Sequence, residues 1–135
     1  MAKDLKILEN TRFVGEIPND ELPKYLRIAD LYVSTALSDA GISASTAEAM
    51  ACEIPVVITN TGENERWVEN EKSGFLIPIK KPEIVAQKVV YLLENENKRK
   101  EIGRQARVKI VEENDYFREM SKMNSIHEEM IEEKL

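Results

Sequence analysis

The residues best suited to chemistry lie together in DAGISASTAEAMACEIPVVIT, residues 39–59. Asp39, Ala40, Gly41 and Ile42 form a polar, glycine-containing loop. Ser43, Ala44, Ser45 and Thr46 read as the start of a helix that continues through Glu48 to Cys52. A helix start leaves its first N–H groups without intrahelical partners and carries partial positive charge. Small side chains let a ligand come close to that backbone. The chemistry this arrangement suits is anion binding, with phosphate as the natural guest. The hydroxyls of Ser43, Ser45 and Thr46 are equally good helix caps, and both readings hold together because a capped end keeps other free amides. Taken alone, Asp39 reads as a carboxylate turning onto its own backbone. Glu48 reads as a solvated glutamate at a position that favours a good helix former.

Other chemistries have little to stand on. Cys52 is the one cysteine and His127 the one histidine, so an internal disulfide, a cysteine zinc cluster and a local Cys–His pair are excluded. No metal-ligand spacing occurs, and neither a metal nor a cofactor is expected. Cys52 reads as a small apolar residue rather than a nucleophile. The net charge of -6 should repel nucleic acid and anionic lipid. No apolar run approaches the roughly 18 residues of a membrane span, and no signal peptide is read; the expected location is cytoplasmic. With 135 residues, 42% hydrophobic and 33% charged, the chain fits one soluble globular domain with a real core.

The elements that must position the loop follow from periodicity. A strand at 31–34 precedes it and the apolar run at 56–59 follows it. Strand, loop, helix and strand make one βαβ unit, the building block of parallel sheets. Such a sheet places ligands at the carboxyl ends of its strands, beside the amino ends of the following helices. Further strands are expected at 11–14 and 75–77. A helix capped by Asn19 or Asp20, with Pro23 in its first turn, should bury Leu22, Leu26 and Ala29. A helical turn is expected at 66–69, and residues 4–8 read as a helix end. Longer helices are expected at 82–94, opened by Pro82, at 98–113, and at 116–133, capped by Asp115. The expected class is α/β, a three-layer domain with a parallel sheet and helices on both faces through right-handed crossovers. Tyr116, Met120, Met123 and Met130 fall near one face of the last helix, a stripe that must pack on something.

The order of motifs carries more than any one of them. RFVGEIPNDELPKYLRIADLYVSTALSD leads to EAMA at 48–51 and PVV at 55–57, then to TGENERWVENEKSGFLIP, KPEIVAQKVVYLLEN and RKEIGRQARVKIVEEN. From Thr11 to Tyr116 this resembles the C-terminal domain of retaining GT-B glycosyltransferases. The nearest group is glycosyltransferase family four, the glycogen-synthase-like and mannosyltransferase-like enzymes. The resemblance implies a Rossmann-like domain, the C-terminal half of a GT-B fold. It binds a nucleotide-diphosphate sugar whose sugar is transferred to an acceptor with retained configuration.

The implied roles are specific. Glu48 matches a glutamate that accepts hydrogen bonds from both ribose hydroxyls, a task for a charged bidentate acceptor. Gly41, Ile42, Ser43, Ala44, Ser45 and Thr46 match the segment that meets the diphosphate. Glu16 and Ile17, after Gly15, match a segment beside the nucleotide base, against an ordinary loop. The family's other glutamate, which holds sugar hydroxyls, falls on Ala40; the adjacent Asp39 is the candidate substitute at the catalytic end. Gly62-Glu63-Asn64-Glu65 stands where the family has Gly-x-Pro-Glu, with Asn64 in place of proline. Glu53 stands where a glycine is usual, and a left-handed backbone there would strain it. Trp67 reads as packing rather than a stacking platform. The resemblance makes residues 1–135 a single, incomplete nucleotide-sugar-binding domain, inactive alone. Its expected partner is the N-terminal acceptor domain of the same enzyme, across which the last helix would pack. The resemblance also allows the inner membrane face for a full-length enzyme. The alternative, favoured by Ala40 and Glu53, is a non-catalytic nucleotide-binding or interaction module with the same fold. A sugar-nucleotide epimerase half shares the fold, and the EAMA block argues against it.

Overall fold

The structure is a computed structural model that describes residues 3–38 and 41–132; Asp39 and Ala40 lie outside the described residues. Its elements are α1 (Leu22–Arg27), β1 (Tyr32–Ser34), α2 (Ala44–Ala51), β2 (Val56–Thr59), α3 (Asn64–Trp67), β3 (Phe75–Ile77), α4 (Pro82–Glu94), α5 (Glu96–Glu113) and α6 (Tyr116–Glu132). The three strands form one parallel sheet in the order β1-β2-β3, with Val33 opposite Val57 and Val57 opposite Phe75. This is the three-layer α/β architecture the βαβ reading requires.

Strand alternation separates the core into two faces. Val56 and Ile58 point to one side, where Ala49 and Met50 of α2 and Ala106 and Ile110 of α5 cover them. Val57, Phe75 and Ile77 point to the other, against Leu92 of α4 and Ile102 of α5. All of β2 is buried, as expected of a central parallel strand covered on both faces. The 18-residue α5 serves both clusters, its first half on one face and its second half on the other.

Residues 11–14 do not form the expected strand. The segment is coil, with Phe13 77% and Val14 48% exposed. A strand exists through its ladder partners, and no described strand pairs with this segment. Further expectations shift, the helical turn of 66–69 among them, which forms at Asn64–Trp67. Residues 8–10 form a short 3-10 helix where a helix end at 4–8 was expected. Helix α1 takes Glu21, not Asn19 or Asp20, as its N-cap and has no side-chain cap, although Pro23 does sit in its first turn. Leu22, Leu26 and Ala29 are only half-buried, because α1 lies at the edge of the core rather than over it.

Asp115 Oδ1 accepts from Arg118 N at 2.9 Å and caps α6 as expected. No residue of α6 is buried, and Met120, Met123 and Met130 are 37%, 48% and 52% exposed. Trp67 packs partly against the first cluster, with the Arg66 guanidinium over its ring at 5.2 Å. Among the described residues, no helix is long and apolar enough to cross a membrane.

Candidate nucleotide site at the start of helix α2

The segment after β1 returns to the sheet as α2, so the start of α2 lies at the carboxyl end of the strands. Ser43 is the N-cap, with φ -66° and ψ 146°. Its Oγ accepts from Thr46 N at 3.3 Å and lies 2.7 Å from Thr46 Oγ1. Thr46 is 2% exposed, so its hydroxyl is committed to the cap. Ser45 points elsewhere, its Oγ 2.8 Å from the Tyr32 hydroxyl on β1. These bonds tie the helix start to the strand and leave the N–H groups of Ala44 and Ser45 without an intrahelical acceptor. Ile42 packs partly on the first core cluster. At Gly41 an added Cβ would meet nothing within 4 Å, so the backbone faces open space.

Glu48 lies one turn into α2 and is exposed. Among the described residues its carboxylate makes no ion pair and no side-chain hydrogen bond. It is a charged acceptor on the same short helix as the free amides.

The structure brings Gly41, Ile42, Ser43, Ala44, Ser45, Thr46 and Glu48 together on one helix start. Asp39 lies outside the described residues. Glu16 is exposed and Ile17 half-buried on the coil before α1, following Gly15 at φ 79°. No hydrogen bond or ion pair among the described residues joins either of them to 41–48.

The second loop at this edge follows β2. Thr59 Oγ1 donates to the Ala36 carbonyl, and Asn64 Nδ2 donates to the Thr59 carbonyl at 2.9 Å. Asn60 Nδ2 donates to Glu65 Oε1 at 2.5 Å. A cleft of about 310 Å³ opens beside these bonds, lined by Thr35, Leu37, Thr59, Lys80, Lys81 and Val85. The two lysines place positive charge at the carboxyl edge, in a chain that is acidic overall. The sequence reading did not single out Tyr32, Thr59, Lys80 or Lys81. A threonine ending a buried strand and a Lys-Lys pair before a proline-opened helix were the available signals. Among the described residues, no group of three or more His, Cys, Asp and Glu could hold a metal ion.

The opposite end of α2 is closed. Glu53 has φ 64°, the left-handed position where strain was expected. Ile54 N donates to Ala49 O and Glu53 N to Met50 O, both at 3.0 Å. This is the Schellman pattern, with Ile54 and Ala49 both in the first core cluster. Arg107 Nη1 donates to the Ala51 carbonyl.

Comparison with known proteins adds a family. The model of glycosyl transferases group 1 matches residues 1–109. Among curated relatives, the GDP-mannose-dependent alpha-(1-6)-phosphatidylinositol monomannoside mannosyltransferase of Mycobacterium tuberculosis is 26% identical over 99 residues. That match covers 69% of this chain and 26% of the relative. Among solved structures, sucrose-phosphate synthase from Thermosynechococcus elongatus superposes with a TM-score of 0.92 at 20% identity, over 96% of this chain and 32% of that one. HepE of Anabaena, solved in complex with UDP-glucose, superposes with a TM-score of 0.83 at 21% identity, over 92% of this chain and 34% of that one. At these identities the structural likenesses bear on the fold, the GT-B half-domain. The chain spans 26% to 30% of the length of the first curated relatives it matches.

Proposed function

The chain belongs to the family of glycosyl transferases group 1, and from that premise we propose that it is the donor-binding domain of a retaining, family-four type glycosyltransferase. In this reading the start of α2 receives a nucleoside-diphosphate sugar. The diphosphate meets the N–H groups of Ala44 and Ser45 and the open backbone at Gly41 and Ile42, with Ser43 and Thr46 holding the helix end in place. Glu48 accepts hydrogen bonds from the ribose hydroxyls. Glu16 and Ile17 lie toward the base, and Asp39 toward the sugar. No metal has a role.

The observation that carries the reading is Glu48: an exposed carboxylate with no partner among the described residues, one turn from free helix amides at the carboxyl edge of a parallel sheet. The chemistry such a site contributes is electrostatic. As the bond between sugar and phosphate breaks, preorganised amides and cations stabilise the charge gathering on the departing diphosphate. Transfer also needs an acceptor held against the anomeric carbon. We assign that task to an acceptor-binding domain, across which the exposed apolar face of α6 would pack. The free thiol of Cys52 suits a reducing, cytoplasmic compartment.

Amide-shift titration with UDP, GDP and ADP tests the site. Shifts should centre on 15–17 and 40–48. Glu48→Ala should weaken binding by about ten- to a hundredfold, the loss of about 1.5–3 kcal/mol expected for a charged acceptor. The fold should remain intact, because alanine is a good helix former. Equal binding by both proteins, or shifts that map elsewhere, would remove the assignment. Ala40, where the family has a glutamate, favours a second reading in which the nucleotide is bound and no sugar is transferred. Binding of nucleoside diphosphate with no added affinity for any nucleotide sugar would select it.

A further inference from the structure

The segment between β1 and α2 is anchored differently at its two ends. At the trailing end, Ile42 packs on the first core cluster and Ser43 is bonded to Thr46. At the leading end, the one side-chain hydrogen bond to residues 35–38 among the described residues comes from Thr59, whose Oγ1 donates to the Ala36 carbonyl. Thr59 is 3% exposed and Ala36 half-buried, so the bond is partly shielded from water. Thr59 is itself held, since its own carbonyl accepts from Asn64 Nδ2 at 2.9 Å. Asn64 is 2% exposed, and its Oδ1 has no partner among the described residues. A buried amide with an unsatisfied oxygen is a cost to the fold, so packing alone does not account for it. What the Asn64 side chain supplies is the Nδ2 donor. The result is a relay from α3, through the end of β2, to the loop leaving β1.

We infer that Thr59 is a positioning residue for the sugar end of the donor, acting through Ala36, with Asn64 holding Thr59 in place. The inference rests on the donor-site reading proposed above. The trailing anchor holds the backbone assigned to the diphosphate and does not involve Thr59. The leading anchor holds the stretch that runs toward the sugar. Removing the Thr59 hydroxyl therefore loosens one half of the segment and leaves the other in register. The two halves of a nucleotide sugar should respond unequally.

The test uses Thr59→Val, which deletes the hydroxyl at nearly constant volume and keeps a residue that favours strands. Thr59→Ser restores the hydroxyl. UDP, UDP-glucose, GDP and GDP-mannose are titrated into the 135-residue chain and both variants. The expected result is a loss of about five- to tenfold in affinity for the nucleotide sugar with Thr59→Val, the worth of one buried hydrogen bond. Binding of the bare nucleoside diphosphate should stay within about twofold, and Thr59→Ser should behave as the parent. Equal losses for sugar nucleotide and bare nucleotide, or no loss for either, would overturn the inference. If the parent binds no nucleotide, or the sugar adds nothing, the donor-site reading fails separately and the free protein decides. Thr59→Val must then move the amide resonances of Leu37 and Ser38 and raise their mobility, while Thr59→Ser leaves them in place. Unchanged resonances in Thr59→Val would overturn it.

Discussion

At its C-terminal end α2 is closed by backbone, whereas at its N-terminal end it is held by hydroxyls and left open. The closed end has Schellman bonds, the Arg107 guanidinium on Ala51, and α5 pressed against it at Gly103. The open end has one cap, a serine turned toward Tyr32, and a glycine whose missing side chain would meet nothing. One helix of 8 residues thus spends its packing at one end and keeps its free amides at the other. The difference teaches where tight contact is tolerable. A packed helix start has no room for a ligand, and an unpacked helix end loses the anchor that fixes the start.

The most severe way to break the comparison is Gly103→Ala. A Cβ there would lie 2.1 Å from the Glu53 carbonyl oxygen and 3.0 Å from its carbon, and backbone cannot step aside as a flexible side chain can. The gain in helix propensity is about 1 kcal/mol, and the forced separation of α5 from the end of α2 outweighs it. A net loss of about 2 kcal/mol is expected, read from the urea midpoint. An unchanged midpoint would show that the two helices slide apart freely and that the end is not closed.

The open end should respond more mildly. Ser43→Ala removes the cap and a partner of the buried Thr46 hydroxyl, at about 1 kcal/mol, whereas Ser43→Gly should cost only a few tenths. The same denaturation series reads both. Equal losses for alanine and glycine would mean the serine is held for something other than capping.

Glu53→Gly sharpens the contrast in the other direction. At φ 64° a side chain costs about 1–2 kcal/mol, and glycine gives part of that back as flexibility in the unfolded chain. The Arg107–Glu53 contact at 3.7 Å joins two half-exposed side chains and contributes little. A net gain of about 0.5 kcal/mol is expected, with no change at the open end. A loss would mean that the glutamate holds Arg107 on the Ala51 carbonyl.

The smallest effects belong to surface pairs far from either end. The hydrogen bond from Lys100 Nζ at 2.5 Å, and then its charge, hold the Glu96 carboxyl below its ordinary range. Lys122 Nζ at 2.8 Å does the same for Glu119. A carboxyl whose folded pKa is depressed contributes stability above its unfolded value, and that contribution is lost as pH falls through the folded value. Lys100→Met and Lys122→Met should therefore lower stability slightly at neutral pH, leave it unmoved at acid pH below the folded values, and so flatten the acid limb. Both pairs are solvent-exposed, so the change should be smaller than that of Ser43→Ala, as midpoints between about pH 3 and pH 7 would show. A loss at neutral pH exceeding that of the cap would reverse the ranking.

Much of this was legible in residue order. The apolar run at 56–59, the proline opening α4, the break at Asn114-Asp115 and the small residues after 40 are local signals, and each marked its element within a few residues. The left-handed backbone at Glu53 was signalled by the resemblance, which has a glycine at that position after the helix end. Residues 11–14 misled for the opposite reason: apolar β-formers propose a strand, but only a neighbouring strand makes one. At the site, the helix start and its hydroxyls were legible, whereas the Thr59–Ala36 bond spans 23 positions and has no sequence period.

What the sequence determined by itself, then, was much of what interactions between near neighbours set: helix faces, the caps at Ser43 and Asp115, and the small residues Gly41, Ser43, Ala44 and Ser45 about the start of α2. What tertiary structure alone decided was which ends are closed and which are open. That Gly103 lies against Glu53, that Tyr32 takes Ser45, and that Thr59 and Asn64 hold the loop leaving β1 depend on chain segments brought together by burial of the two core faces. Burial is non-directional and roughly proportional to area. It drives the segments together without specifying which polar groups will meet, and the geometry of the packed sheet and helices makes that choice.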